Sequence, residues 1–379
     1  MRFPRFARLA ACLLLAAPAL ASALPRYTVT VVAGAGSFAW DINQSGQVVG
    51  EAGGNAWLYS SGLYTELGSG SARGINDHGQ VAGESGGNGF LYSGGRMTWI
   101  TGWGSTWVRG INNEGTVVGM AEYEDAENGF VRHAFSYRDG VSTDLGTLYR
   151  THSEANAVNK LGHVVGGSDI GGPPNWPLTP FLYRDGAMID LGPFNGPWSE
   201  ALAINDHDQV VGYAGYAPVG GELYPRGAFL WDDGKLLDPG PLTGSLNSYV
   251  TGINNLSQVV GWSGDFPAQR AFLYENGALL DLNTLIDPAS GWVLAEATAI
   301  NDLQQIAATA CRAGACHAVR LDLVSAVPEP ATWGMLLAGG GLLGWRRRSH
   351  GRRRASAAPA TRHATGRGKR DPANDKPGL

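Results

Sequence analysis

Few side chains in this sequence are of types and spacings that could do chemistry, and most can be assigned or dismissed from their neighbours. Cys311 and Cys316 stand close enough to bond to each other, whereas a C-x4-C metal site would need two further ligands that the sequence does not supply. Gly83-Glu84-Ser85-Gly86-Gly87 matches the G-x-S-x-G pattern of an acyl-transfer nucleophile. That nucleophile needs a strained strand-to-helix turn, and here the serine falls in a short hairpin loop with no helix after it. Gly339 to Gly344 fits G-x-G-x-x-G but lies inside an apolar run with no nucleotide fold around it. His78 and His207 occupy turn tips, the other histidines lack zinc spacing, and no D-x-D-x-D-G calcium loop occurs. The expectation is therefore no catalytic residue, no metal and no cofactor.

The aromatic residues are more promising. Trp103, Trp107, Tyr123, Trp176, Trp198, Tyr216, Tyr249, Trp262 and Trp292 stand near acidic groups that include Glu122, Glu124, Asp125 and Asp169. Aromatic faces beside hydrogen-bonding groups stack on sugar rings or anchor protein contacts. They also pack between sheets, so either use is open for each residue.

Which use applies depends on the elements that carry them, and a repeat defines those elements. One phrase recurs seven times: AWDINQSGQVVG from Ala39, ARGINDHGQVAG from Ala72, VRGINNEGTVVG from Val108, ANAVNKLGHVVG from Ala155, ALAINDHDQVVG from Ala201, VTGINNLSQVVG from Val250 and ATAINDLQQIAA from Ala297. Its asparagines are Asn43, Asn76, Asn112, Asn159, Asn205, Asn254 and Asn301, and Ser or Thr stands six residues before five of them. Each copy reads as two hairpins. An apolar strand ends at Ile-Asn, a polar turn follows, and Gln-Val-Val-Gly returns; then a strand such as Ala271-Phe272-Leu273-Tyr274 meets Glu-Asn-Gly and turns back.

Four short strands repeated in this way predict an all-β fold, a seven-bladed β-propeller of four-stranded blades. The seventh copy lacks a fourth strand, which residues 27–32 can supply beside residues 318–324, closing the ring and removing free sheet edges. An open stack, or a six-bladed ring with an extra unit, is the alternative. In a closed ring the connections between second and third strands emerge on the same face as the inter-blade segments. The former read as long at residues 121–132, 167–180, 213–226 and 262–270, which brings the nine aromatics to one side.

The formal net charge of −5 conceals a division. Residues 24–345 carry 14 basic and 31 acidic groups, a net −17, while the last 34 residues are basic. An acidic body repels phosphate backbones, which argues against nucleic acid as a partner.

Both ends of the chain read as targeting text. Arg2, Arg5 and Arg8 precede an apolar run, and Ala21 and Ala23 offer a cleavage site, so residues 1–23 are expected to be a signal peptide. Export would permit the Cys311–Cys316 disulfide. After the propeller, residues 24–325, the text changes at Val327-Pro328-Glu329-Pro330; fifteen mostly apolar residues, 331–345, then lead to Arg346-Arg347-Arg348. Fifteen helical residues rise about 22 Å, so the predicted C-terminal transmembrane helix is a short span held by its arginines on the cytoplasmic side. Residues 349–379, rich in Arg, Ala and Pro, read as a disordered tail.

Two resemblances follow from these residues. The asparagine phrase, with His133-Ala134-Phe135, Ala228-Phe229-Leu230, Ala271-Phe272-Leu273 and Asp144-Leu145-Gly146, resembles the extracellular HAF repeat family of bacteria, which implies secretion and a repeat scaffold but no reaction. The segment 326–348, with Pro-Glu-Pro, apolar helix and basic cluster, resembles the PEP-CTERM sorting signal. That resemblance implies an exosortase as partner, a transient inner-membrane anchor, and delivery to the cell surface or extracellular matrix of a Gram-negative bacterium. The long tail after the arginines departs from the usual pattern. Together these features predict a non-enzymatic exported propeller that binds exopolysaccharide or an envelope protein. The alternative is a propeller glycoside hydrolase or polysaccharide lyase using Asp and Glu in the central channel.

Overall fold

In a computed structural model the described residues are 26–324, except 102, 126–128, 150, 171–177, 193–197, 216–225, 238–246 and 266. The signal peptide, the sorting motif, the apolar helix and the tail predicted above lie outside them. The described residues form seven four-stranded antiparallel sheets, with only two short 3-10 turns as helix.

Six blades are continuous in sequence, at residues 37–69, 71–100, 106–144, 153–190, 200–237 and 248–281. The seventh combines Val293–Ile300, Ile306–Arg312 and Ala315–Val324 with the amino-terminal strand Arg26–Ala35. The expected three-plus-one closure is therefore present, with Thr28 opposite Asp322 and Val31 opposite Val319. Cys311 and Cys316 face each other across the hairpin of this blade and are bonded.

The repeated phrase is legible in the geometry. Each asparagine ends the innermost strand of its blade, and its side-chain oxygen accepts from amides two or four residues on, as Asn205 does from His207 and Gln209. This is the side-chain-to-backbone turn that Asn favours. Its amide nitrogen reaches across to the next blade and donates to the backbone carbonyl of the next asparagine: Asn43 to Asn76, Asn76 to Asn112, Asn112 to Asn159, Asn159 to Asn205, Asn205 to Asn254, Asn254 to Asn301, and Asn301 to Asn43. The donor-to-acceptor distances lie between 2.9 and 3.2 Å, and the circuit is closed. In three blades the serine or threonine six residues earlier joins neighbours at the opposite end: Thr106 accepts from the Gly89 amide, Ser153 from Ala134 and Ser37 from Ala318, whereas Ser199 and Ser248 bond to Gly215 and Ser263 within their own blades.

The glycine closing the phrase also has a cause. A bulge two to four residues before each asparagine pushes the preceding strand carbonyl toward the returning strand. A Cβ at Gly212 would fall on the Glu200 carbonyl, and one at Gly261 on that of Tyr249. In the last blade the same position is Ala308, and there the strand pair carries a second register shift, between Leu294 and Glu296. Phe90, Phe135, Phe181, Phe229 and Phe272, with Trp57 in the first blade, are the fully buried third-strand side chains that fill the blades.

One expectation needs correction. The connections read as long in the third and fourth blades are partly strand: Val117–Asp125 pairs with Gly129–Arg138, with Glu122 opposite Arg132, and Asp169 pairs with Leu178. Backbone pairing continues past the apolar part of these strands into polar residues such as Glu122, Glu124, Asp125, Ser168 and Asp169, which read as loop, although Val131 and Leu178 on the returning strands are buried.

Candidate functional site

The innermost strands of all seven blades surround a central channel. Two stretches of it, with volumes of about 330 and 460 Å³, share Trp40, Arg73, Arg109, Asn156, Leu202, Thr251 and Thr298 in their walls. These residues stand three before the repeated asparagine in their respective blades. Five before it, toward the strand ends away from the asparagine turns, stand Phe38, Ser71, Trp107, Glu154, Glu200, Tyr249 and Glu296, of which Glu154 and Glu200 line the wider stretch at that mouth. The constant residues of the repeat build the ring, and the variable ones at two fixed registers line its hole.

Charge and aromatic character are distributed unevenly around that mouth. In the fourth and fifth blades Glu154 and Glu200 both line the wider stretch of the channel. Burial first, then the Glu200 charge, push the Glu154 carboxyl up to about 7, against the opposing pull of Arg109 and Arg132. Burial and a like charge both disfavour the ionised form of a carboxyl, which is why both act in the same direction here. The Tyr213 hydroxyl donates to Glu200 at 2.6 Å. From there an aromatic row runs outward: Tyr213 to Tyr249 with ring centres 5.3 Å apart, and Tyr249 stacked on Trp262 at 4.3 Å.

The first three blades present the opposite character. Arg73 lies over the Trp40 ring at 4.5 Å and pairs with Glu84 at 3.3 Å. Arg132 lies over Trp107 at 5.4 Å and also bonds Glu122. Asp41, where all six other blades have Gly or Ala, accepts from the amides of Ile42 and Ile75 and so clamps the first blade to the second. Burial outweighs those two amides and raises its carboxyl to about 6.

The predicted aromatic face is thereby divided. Tyr249 stacks on Trp262 across the first two strands of the sixth blade, at the end away from the asparagine turn, and Trp107 lies beneath Arg132. Trp103 packs against the core between the second and third blades, and Trp292 packs on the last blade, edge-on to His317 and beneath Arg312. Trp198 is partly buried before the fifth blade, in a left-handed backbone conformation. Tyr123 falls in a strand opposite Val131, and Trp176 and Tyr216 lie outside the described residues. Sequence reasoning missed Trp40, Arg73, Arg109, Glu154, Glu200 and Tyr213. Aligning the seven copies and reading down the third and fifth positions before the asparagine would have found all but Tyr213. No group of three or more metal-ligating side chains occurs among the described residues.

Comparison with known proteins adds the following. Residues 326–349 match the PEP-CTERM protein-sorting motif, and residues 192–318 match a protein family of unknown function, DUF3466. No curated protein matches the sequence. Among solved structures, the chain is similar to the β-propeller domain of the Trilobed protease from Pyrococcus furiosus, with TM-score 0.42 and 12% identity over 76% of this chain and 83% of that one. It is also similar to a gluconolactonase from Xanthomonas campestris, with TM-score 0.43 and 11% identity over 79% of this chain and 94% of that one. TolB from Acinetobacter baumannii gives TM-score 0.40 and 14% identity over 60% of this chain and 57% of that one. The sorting motif marks an exported propeller of a Gram-negative bacterium, processed by an exosortase through a membrane-anchored intermediate.

Proposed function

We propose that this exported propeller is a non-enzymatic binding module that holds exopolysaccharide at the mouth of its central channel, on the face away from the asparagine turns. The observation that carries the reading is the row Tyr213, Tyr249 and Trp262 leading from the Glu200 carboxylate. Tyr249 and Trp262 are half-buried, with Tyr213 buried behind them, and so place aromatic surface beside a hydrogen-bond acceptor, the pairing by which proteins hold sugar rings. An aromatic row of this kind also anchors protein partners, and an envelope protein is the alternative ligand.

Glycoside hydrolysis would need two carboxyls set about 5 Å apart or more, with room between them for a sugar carbon or a water. Release of reducing sugar from matrix polysaccharide by the purified protein would favour the hydrolase alternative instead.

The test is retention on the host's own exopolysaccharide. Tyr249→Ala combined with Trp262→Ala is expected to weaken retention at least about tenfold, the loss of one to two stacked contacts, while the circular dichroism spectrum stays unchanged. Unchanged retention by the folded double variant would overturn the reading.

A further inference from the structure

Three donors in the channel wall have spare hydrogen-bonding capacity. Trp40 Nε1 and Arg73 Nε are buried with no partner among the described residues. Glu84 occupies only the Nη2 edge of the Arg73 guanidinium. Arg109 makes no hydrogen bond or ion pair among the described residues, although it lines both stretches of the channel. Buried donors are almost always satisfied, so donors left open beside a cavity indicate an acceptor that the chain itself does not provide. Burial and the like charge of Arg109 both lower the pKa of Arg73, and an anion seated between the two guanidinium groups would relieve that repulsion.

We infer that Trp40, Arg73 and Arg109 form a subsite for the carboxylate of an acidic sugar, one uronate unit within a largely neutral glycan. This rests on the glycan reading above and narrows it. A planar carboxylate matches the guanidinium fork, and the indole N–H supplies a third donor from a neighbouring blade. The 460 Å³ stretch falls within the range of small-ligand sites, about 300–1,000 Å³. A continuous polyanion fits poorly, because the body carries 14 basic against 31 acidic groups and repels it at long range. Glu154, raised by burial and by the Glu200 charge, is less ionised near neutral pH than an ordinary carboxyl, which reduces its repulsion of a single incoming carboxylate.

The experiment is calorimetric or ligand-observed titration of the purified protein with D-glucuronate, D-glucose and inorganic phosphate. Glucuronate is expected to bind at least about tenfold more tightly than glucose or phosphate, the worth of one charge-assisted contact set on a sugar-shaped site. Arg109→Gln should abolish that preference. Trp40→Phe, which keeps an aromatic ring and removes only the N–H, should weaken glucuronate binding about threefold and leave glucose unchanged. Equal affinity for glucose and glucuronate, or an unaltered preference in folded Arg109→Gln, overturns the subsite; phosphate binding as tightly as glucuronate overturns the sugar assignment. If exopolysaccharide retention falls with the Tyr249 and Trp262 substitutions but glucuronate shows no preference, the subsite fails and the glycan face stands. If glucuronate binds as expected and that retention is unchanged, the subsite stands and the face fails.

Discussion

The side-chain amide of Asn301 donates to the backbone carbonyl of Asn43 at 2.9 Å, joining residues 258 apart in sequence. It completes the circuit of asparagine bonds at the same junction where the amino-terminal strand zips onto Ala315–Val324 and Ser37 accepts from the Ala318 amide. Three separate devices thus hold the one junction that chain connectivity does not.

The circuit predicts a sharp distinction between isosteres. Asn254 donates to Asn301 and to Gln258 while its oxygen accepts from the Leu256 and Gln258 amides. Asn254→Asp keeps the acceptor and loses the donor, leaving a buried carbonyl unpaired beside a new charge. Its cost is expected to be about 2–4 kcal/mol in urea unfolding, more than that of Asn254→Ser, since leaving a buried group unsatisfied costs about 1–3 kcal/mol and a charge adds to it.

The close approach behind the glycine gives a second prediction. Gly212→Ala places a methyl on the Glu200 carbonyl and should cost about 1–3 kcal/mol by the same assay, with loss of the Glu200 contact to Tyr213. Ala308→Gly, at the equivalent position of the last blade, should cost no more than about 1 kcal/mol, because its strand pair already makes room.

Stability should depend on pH through the channel carboxyls. Folding raises Glu154 from an ordinary 4.5 to about 7 and Asp41 from 3.8 to about 6. An acid whose folded pKa lies above its unfolded value favours the fold while protonated. The contribution is therefore complete below about pH 4 and is lost as pH rises toward the folded values. Unfolding free energy should fall between about pH 4 and about pH 7, by on the order of 3 kcal/mol for Glu154, and Glu154→Gln should flatten the profile. A stability that rises over this range, with no change on substitution, would contradict the raised Glu154 carboxyl.

Most of the ring was legible because the residues that build it are constant. Asn43 and its six counterparts perform the same task in each blade, and the serines or threonines before five of them and the glycines after six recur at fixed positions, so repetition exposes them. The channel site was not legible by the same signal. Arg73, Glu154 and Glu200 are informative because they differ from their counterparts, and their meaning depends on which neighbours the ring brings beside them. Glu154 and Glu200 stand 46 positions apart in sequence and meet only because adjacent blades place the same register side by side. Trp103 and Trp292 looked like site residues for the opposite reason: composition marks a tryptophan but does not distinguish a sheet interface from a channel wall.

The channel exists only if the ring closes, and closure is directly measurable. With Thr28→Cys and Asp322→Cys introduced together, the register that sets these residues opposite each other predicts an intramolecular disulfide under mild oxidation. Peptide mapping without reduction should then recover the segments around positions 28 and 322 as one linked species. Free thiols at both positions in the folded, oxidised protein, or linkage only between separate molecules, would contradict the closed seven-bladed ring.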